Sequence, residues 1–209
     1  MAHQPHFTAF AGARRVAAGE LSCVLRAAKA LRDEGGHAPV LIFDDRTGEQ
    51  IDVSFRGTAD DVLKRLAKKA GKERLPDDAA PAPADAPRGP GRPKLGVVAR
   101  EVTLLPRHWD WLSAQPGGAS AALRRLVDDA RRASAGKDHV RRAQEAAYRF
   151  MSAVAGNEAG FEEAARALFA GKPADFDAST GCWPADVRDY ARKLAAAAFQ
   201  GEGPPGGAP

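Results

Sequence analysis

Six prolines between Pro76 and Pro93, with alanines, aspartates and glycines filling most of the gaps, interrupt the 209-residue chain near its middle. Each proline removes a backbone donor and holds φ near about −65°, so neither a helix nor a central strand can run through such a stretch. Too little apolar surface lies between them to offset the entropy of folding. Residues 71–98 therefore read as a linker, and the rest of the chain must fold on either side of it.

The linker ends in Arg88, Arg92, Pro93 and Lys94, within Ala86-Pro-Arg-Gly-Pro-Gly-Arg-Pro-Lys94. Prolines hold this backbone extended and leave the Arg92 guanidinium able to enter a narrow, A·T-rich minor groove. From Arg88 to Arg132 there are nine Lys or Arg against four Asp or Glu, while the whole chain carries only +4. The positive excess is thus local, as expected of a polyanion binder, although a solvated charged surface gives the same count. The pattern resembles an AT-hook.

Downstream, over 99–134, Val102-Thr-Leu-Leu105 has strand-forming bias and is closed by Pro106, which suits the first turn of a helix. Leu105, Trp109 and Leu112 then recur at i, i+4 and i+7. Pro116-Gly-Gly118 breaks the helix, and Ala119 or Ser120 opens another with Leu123, Leu126, Val127 and Ala130 as an inward stripe. Alone, one strand and two short helices cannot bury their apolar face. Two copies can, by pairing strands across a two-fold axis.

This β-α-α layout resembles the ribbon–helix–helix DNA-binding fold. The resemblance implies that Leu105 and Thr103 point inward, that Arg100, Val102 and Leu104 face the major groove, and that the second helix offers its N-terminal amides, near Ser120, to phosphate. Val102 and Leu104 can touch thymine methyls but cannot hydrogen-bond base edges, so affinity must rest mainly on phosphate contacts. The candidate nucleic-acid residues are Arg88, Arg92, Pro93, Lys94, Arg100, Arg107, Ser120 and Arg124.

The N-terminal segment, 1–70, reads as a small α+β unit of order ββαββα. Phe7-Thr-Ala-Phe10 and Arg14-Arg-Val16 form a hairpin around Gly12, and Leu21, Val24, Leu25, Ala28 and Leu31 stripe a helix. Val40-Leu-Ile-Phe43 and Ile51 to Phe55 flank a turn at Asp44-Asp-Arg-Thr-Gly48. Thr58 with Asp61 is a helix cap. A C-terminal helical segment, 138–199, shows apolar stripes over Val140–Val154, Phe161–Phe169 and Val187–Leu194. Gly171 ends the second helix and Pro184 begins the last. The tail, 200–209, reads as disordered. The fold class is α+β.

Catalytic signals are weak. Cys23 and Cys182 lie far apart, without disulfide or metal spacing, and read as partly buried thiols. His108, Trp109 and Asp110 are adjacent and so face different ways on a helix. Asp44, Asp45 and Glu49 read as turn residues, Ser22 has no base at recognisable spacing, and Trp183 reads as a packing anchor. No catalytic, cofactor or metal constellation emerges, and an enzyme ranks third. No apolar run approaches the roughly 18 residues of a membrane span, and Met1-Ala-His-Gln-Pro-His6 lacks the character of a secretory signal. The expectation is a cytoplasmic homodimer that binds A·T-rich DNA with weak sequence specificity, as a regulatory or architectural protein. The alternative is a dimeric protein–protein interaction module.

Three stretches, Gly91-Arg-Pro-Lys-Leu-Gly96, Glu101-Val-Thr-Leu-Leu-Pro-Arg-His-Trp-Asp-Trp111 and Gln115-Pro-Gly-Gly118, resemble domain-of-unknown-function family 2239. The likeness runs over most of the length. It implies a bacterial cytoplasmic protein and no particular activity.

Overall fold

A computed structural model describes residues 6–35, 38–73 and 100–200. Strands β1 (Phe7–Ala11) and β2 (Arg14–Gly19) form an antiparallel hairpin whose turn holds Gly12 at φ 58°. Helix α1 (Leu21–Asp33) leads to β3 (Val40–Asp44), and β4 (Gln50–Ile51) follows. All pairs are antiparallel, in the order β2-β1-β3-β4. Helix α2 (Ala59–Glu73) begins at the expected box: the Thr58 amide donates to Asp61 Oδ2 at 2.9 Å, and the Asp61 amide donates to Thr58 Oγ1 at 3.2 Å. Ile51, Val53 and Phe55 are half-buried against exposed Asp52 and Ser54, as alternation predicts, but only Gln50 and Ile51 join the ladder.

Five helices follow among the described residues after 100. The first four are α3 (Pro106–Ser113), α4 (Gly118–Val154), α5 (Phe161–Phe169) and α6 (Pro173–Ser179); the last helix, α7 (Ala185–Phe199), starts after Pro184. The expected break near residues 134–138 does not occur, because α4 runs unbroken for 37 residues. Its only mid-helix breaker there is Gly136, and a single glycine costs a helix only about 1 kcal/mol. The short α6, opened by Pro173, is not evident from periodicity.

Two compact units result. One joins residues 1–70 to 135–209; the other spans 71–134. In the first unit the sheet is buried on both faces, and the period-two alternation of its strands sorts the side chains. Phe7 and Ala9 of β1 and Ile42 of β3 pack with Val24, Leu25 and Ala28 of α1 and Val62 of α2. On the opposite face Phe10 and Phe43 pack with Phe150 and Met151 of α4 and Tyr190 and Leu194 of α7. The N-terminal α+β segment and the C-terminal helices, which sequence separates, therefore share a core. Its centre is a group of four rings, Phe10, Phe43, Phe150 and Tyr190, in tilted or edge-to-face pairs with centroids 4.6–6.3 Å apart.

In the second unit Arg100–Leu105 is not assigned to a strand. The sheet takes all its strands from residues 7–51, so this segment is not a fifth member of it. Leu105 is extended, at φ −66° and ψ 149°, and hands the chain to Pro106. Gly117 and Gly118, both at positive φ, make the expected break before α4. Both cysteines are exposed, not partly buried: Cys23 lies on the outer face of α1, and Cys182 precedes the buried Trp183.

Candidate functional site

Two places gather chemistry, one in each unit. In the second unit Arg100, Arg107, Ser120 and Arg124 are all exposed. Ser120 and Arg124 sit one turn apart on α4, where the Arg124 Nε–H donates to the Ser120 carbonyl at 3.2 Å. Arg88, Arg92, Pro93 and Lys94 lie outside the described residues. Of the stripe expected to point inward, Leu123 is half-buried, whereas within one chain Leu126 is 44% exposed, Val127 54%, and Ala130 exposed too. Val102, Leu105, Trp109 and Trp111 are likewise substantially exposed, while Leu112 and Ala122 are buried. Leu104, expected to face a groove, is half-buried, and Thr103, expected to point inward, is exposed.

The second place lies within the first unit, where the turn after β3 meets α4 and α7. Asp44 behaves as a turn residue, its Oδ1 accepting the amides of Arg46 at 2.7 Å and Thr47 at 3.3 Å. Asp45 does more. Its side chain is only 9% exposed and takes three donors from two distant elements. Oδ1 accepts the Thr8 hydroxyl and the Tyr190 hydroxyl, each at 2.7 Å, and Oδ2 accepts the Lys193 ammonium at 2.5 Å. Burial pushes the Asp45 carboxyl up, but the hydrogen bonds from Lys193, Tyr190 and Thr8, with the charge of Lys193, outweigh it and hold the group below its ordinary value. Burial, then the hydrogen bond to Asp45 and its charge, raise Tyr190 well above its ordinary value of 10. The carboxylate stays ionised and the phenol stays protonated near neutral pH. Such a pair holds elements together rather than carrying a proton back and forth.

Beside this cluster opens a groove of about 620 Å³. Arg46 and Thr47 line one wall, Arg142 and Arg149 of α4 a second, and Lys193, Leu194 and Ala197 of α7 a third. Arg149 ties the turn to α4, donating to the Thr47 carbonyl at 2.8 Å. Gly48 makes that approach possible: at φ 64°, a Cβ there would stand 2.0 Å from the Ala146 carbonyl oxygen. Sequence reasoning missed Asp45, Tyr190 and Lys193 as a set. The available signal was partial, namely that Tyr190 and Lys193 share one face of α7 at i, i+3 spacing. Among the described residues, no group of three or more His, Cys, Asp or Glu is arranged to hold a metal ion, and no helix is long and apolar enough to cross a membrane.

Compared with known proteins, residues 6–195 match the model of DUF2239, described as an uncharacterized protein conserved in bacteria. The chain belongs to this family. No curated protein and no solved structure matches it. Within this DUF2239 chain the match takes in parts of both units.

Proposed function

We propose that this protein is a homodimeric DNA-binding regulator or architectural factor of the bacterial cytoplasm. The observation that carries the reading is the exposure of Leu105, Trp109, Leu126 and Val127 on the unit that also holds the chain's positive excess. Large side chains half-open to water mark a contact surface. A second copy covers them if the Val102–Leu105 segments pair as strands across a two-fold axis, the arrangement expected of a ribbon–helix–helix dimer. Arg100, Arg107 and Arg124 then meet phosphates, and Arg92 and Lys94 extend into an A·T-rich minor groove in the manner of an AT-hook. Because Val102 and Leu104 read at most thymine methyls, sequence specificity is weak.

A mobility shift with an A·T-rich duplex at low salt tests this. A complex at micromolar protein, lost steeply as salt rises, supports it; absence of any complex removes it. The same apolar face also favours a second reading, a dimeric protein–protein interaction module without DNA. The paired substitution Arg92→Ala, Lys94→Ala separates the two. If duplex retention is unchanged, the arm is only a linker and the second reading gains.

A further inference from the structure

We propose that the groove between the β3–β4 turn, α4 and α7 binds a small phosphorylated molecule, its phosphoryl group on Arg46 and Arg142 and its apolar body on Leu194 and Ala197. This site is separate from the surface assigned to DNA and stands or falls independently of it.

Charge within the groove is unevenly spent. Its two carboxylates are already paired, Asp45 with Lys193 at 2.5 Å and Glu145 with Arg149 at 3.6 Å. Arg149 is further committed to the Thr47 carbonyl. Asp138, one turn before Arg142, pairs with the neighbouring Arg141 at 3.0 Å. Arg142 is exposed and donates its Nε–H to the Asp138 carbonyl at 3.0 Å. Two further guanidiniums, Arg46 and Arg142, thus line a cavity whose own two carboxylates are paired with Lys193 and Arg149. Planar guanidinium forks match phosphate oxygens bidentately, and two of them suit a doubly charged phosphoryl group.

Size and lining set the class. A cavity of about 620 Å³ falls in the range of small-molecule sites, roughly 300–1,000 Å³. Its lining comes from three elements, the β3–β4 turn, α4 and α7, and its volume suits a compact anion. Leu194, Ala143 and Ala146 are buried and Ala197 half-buried in its lining, so part of the ligand rests on apolar surface. The Asp45 cluster fixes the spacing of the walls, since it bonds the turn directly to α7.

Titration calorimetry of the full chain with phenyl phosphate, inorganic phosphate and phenol tests the assignment. Phenyl phosphate binds with Kd below about 1 mM, inorganic phosphate binds several-fold more weakly, and phenol does not bind. The exposed pair Arg46→Ala, Arg142→Ala lowers phenyl phosphate affinity by about tenfold or more while leaving the melting temperature in place. Absence of heat with both anions up to about 10 mM, phenol binding as tightly as phenyl phosphate, or unchanged affinity in the double variant overturns the proposal. Displacement of bound phenyl phosphate by an A·T-rich duplex overturns it as well, by assigning the groove to nucleic-acid phosphate. Failure of the duplex to bind elsewhere leaves this site untouched.

Discussion

The Tyr190 hydroxyl donates to Asp45 Oδ1 at 2.7 Å across 145 residues of chain. Tyr190 brings its ring into the aromatic centre of the core, against Phe10 and Phe150, and its polar end to the turn that follows β3. One side chain thus serves the apolar core and the polar cluster above it. Thr8, buried in β1, donates to the same carboxylate oxygen and leaves no buried side-chain polar atom unsatisfied among the described residues.

Tyr190→Phe keeps the ring and removes the donor. Asp45 loses one charge-assisted bond but retains Thr8 and Lys193, so the variant is expected to lose about 1–2 kcal/mol of stability. Urea denaturation measures it. Equal midpoints for variant and parent mean that the hydroxyl contributes nothing.

Acid should release the Asp45 clamp. Its folded-state value lies below the ordinary 3.8, so its stabilisation is fully present above that pH and disappears as pH falls through the lower folded value. Asp45→Asn is expected to cost about 2 kcal/mol at pH 7, with the gap to the parent narrowing as pH drops below about 4. Melting curves across that range decide it; a gap independent of pH contradicts the assignment.

Gly48→Ala places a methyl against the Ala146 carbonyl in a left-handed backbone conformation. Positive φ alone costs a non-glycine residue about 1 kcal/mol or more, and the clash adds to it, so a loss of roughly 3 kcal/mol is expected. Thermal denaturation reads this directly. A melting temperature equal to that of the parent shows that the turn and α4 move apart freely.

Leu126→Asp separates the dimer from the fold. Leu126 is 44% exposed in one chain, so the carboxylate leaves the monomer's stability nearly unchanged. In a dimer core the same carboxylate costs on the order of 3–5 kcal/mol. Sedimentation equilibrium at tens of micromolar should give a dimer for the parent and a monomer for the variant. A monomeric parent removes the ribbon–helix–helix reading and most of the DNA proposal.

If Arg107 and Arg124 bind phosphate, each alanine substitution weakens the salt dependence. The slope of log K against log salt should fall in magnitude by about 0.9 for each phosphate left without its cation. Filter binding over a salt series measures it, and identical slopes for parent and variants exclude both residues from the DNA surface.

Local signals were legible in the chain itself. The α1 stripe, the Thr58–Asp61 box, the glycine break before α4 and the start of α7 after Pro184 all depend on residues three or four positions apart, where backbone sterics and capping act directly. Val40–Phe43 announced a strand, since four consecutive apolar residues suit burial on both faces. What covers each face was not legible. That Phe10 and Phe43 meet Phe150 and Tyr190, and that Asp45 is a three-donor hub rather than a turn residue, follow from packing between segments about a hundred residues or more apart. Hydrophobic attraction is non-directional, so a periodic stripe shows that a face will be buried and not which partner buries it. Only the tertiary fold, by satisfying the Asp45 carboxylate and closing the aromatic core together, selected the partners.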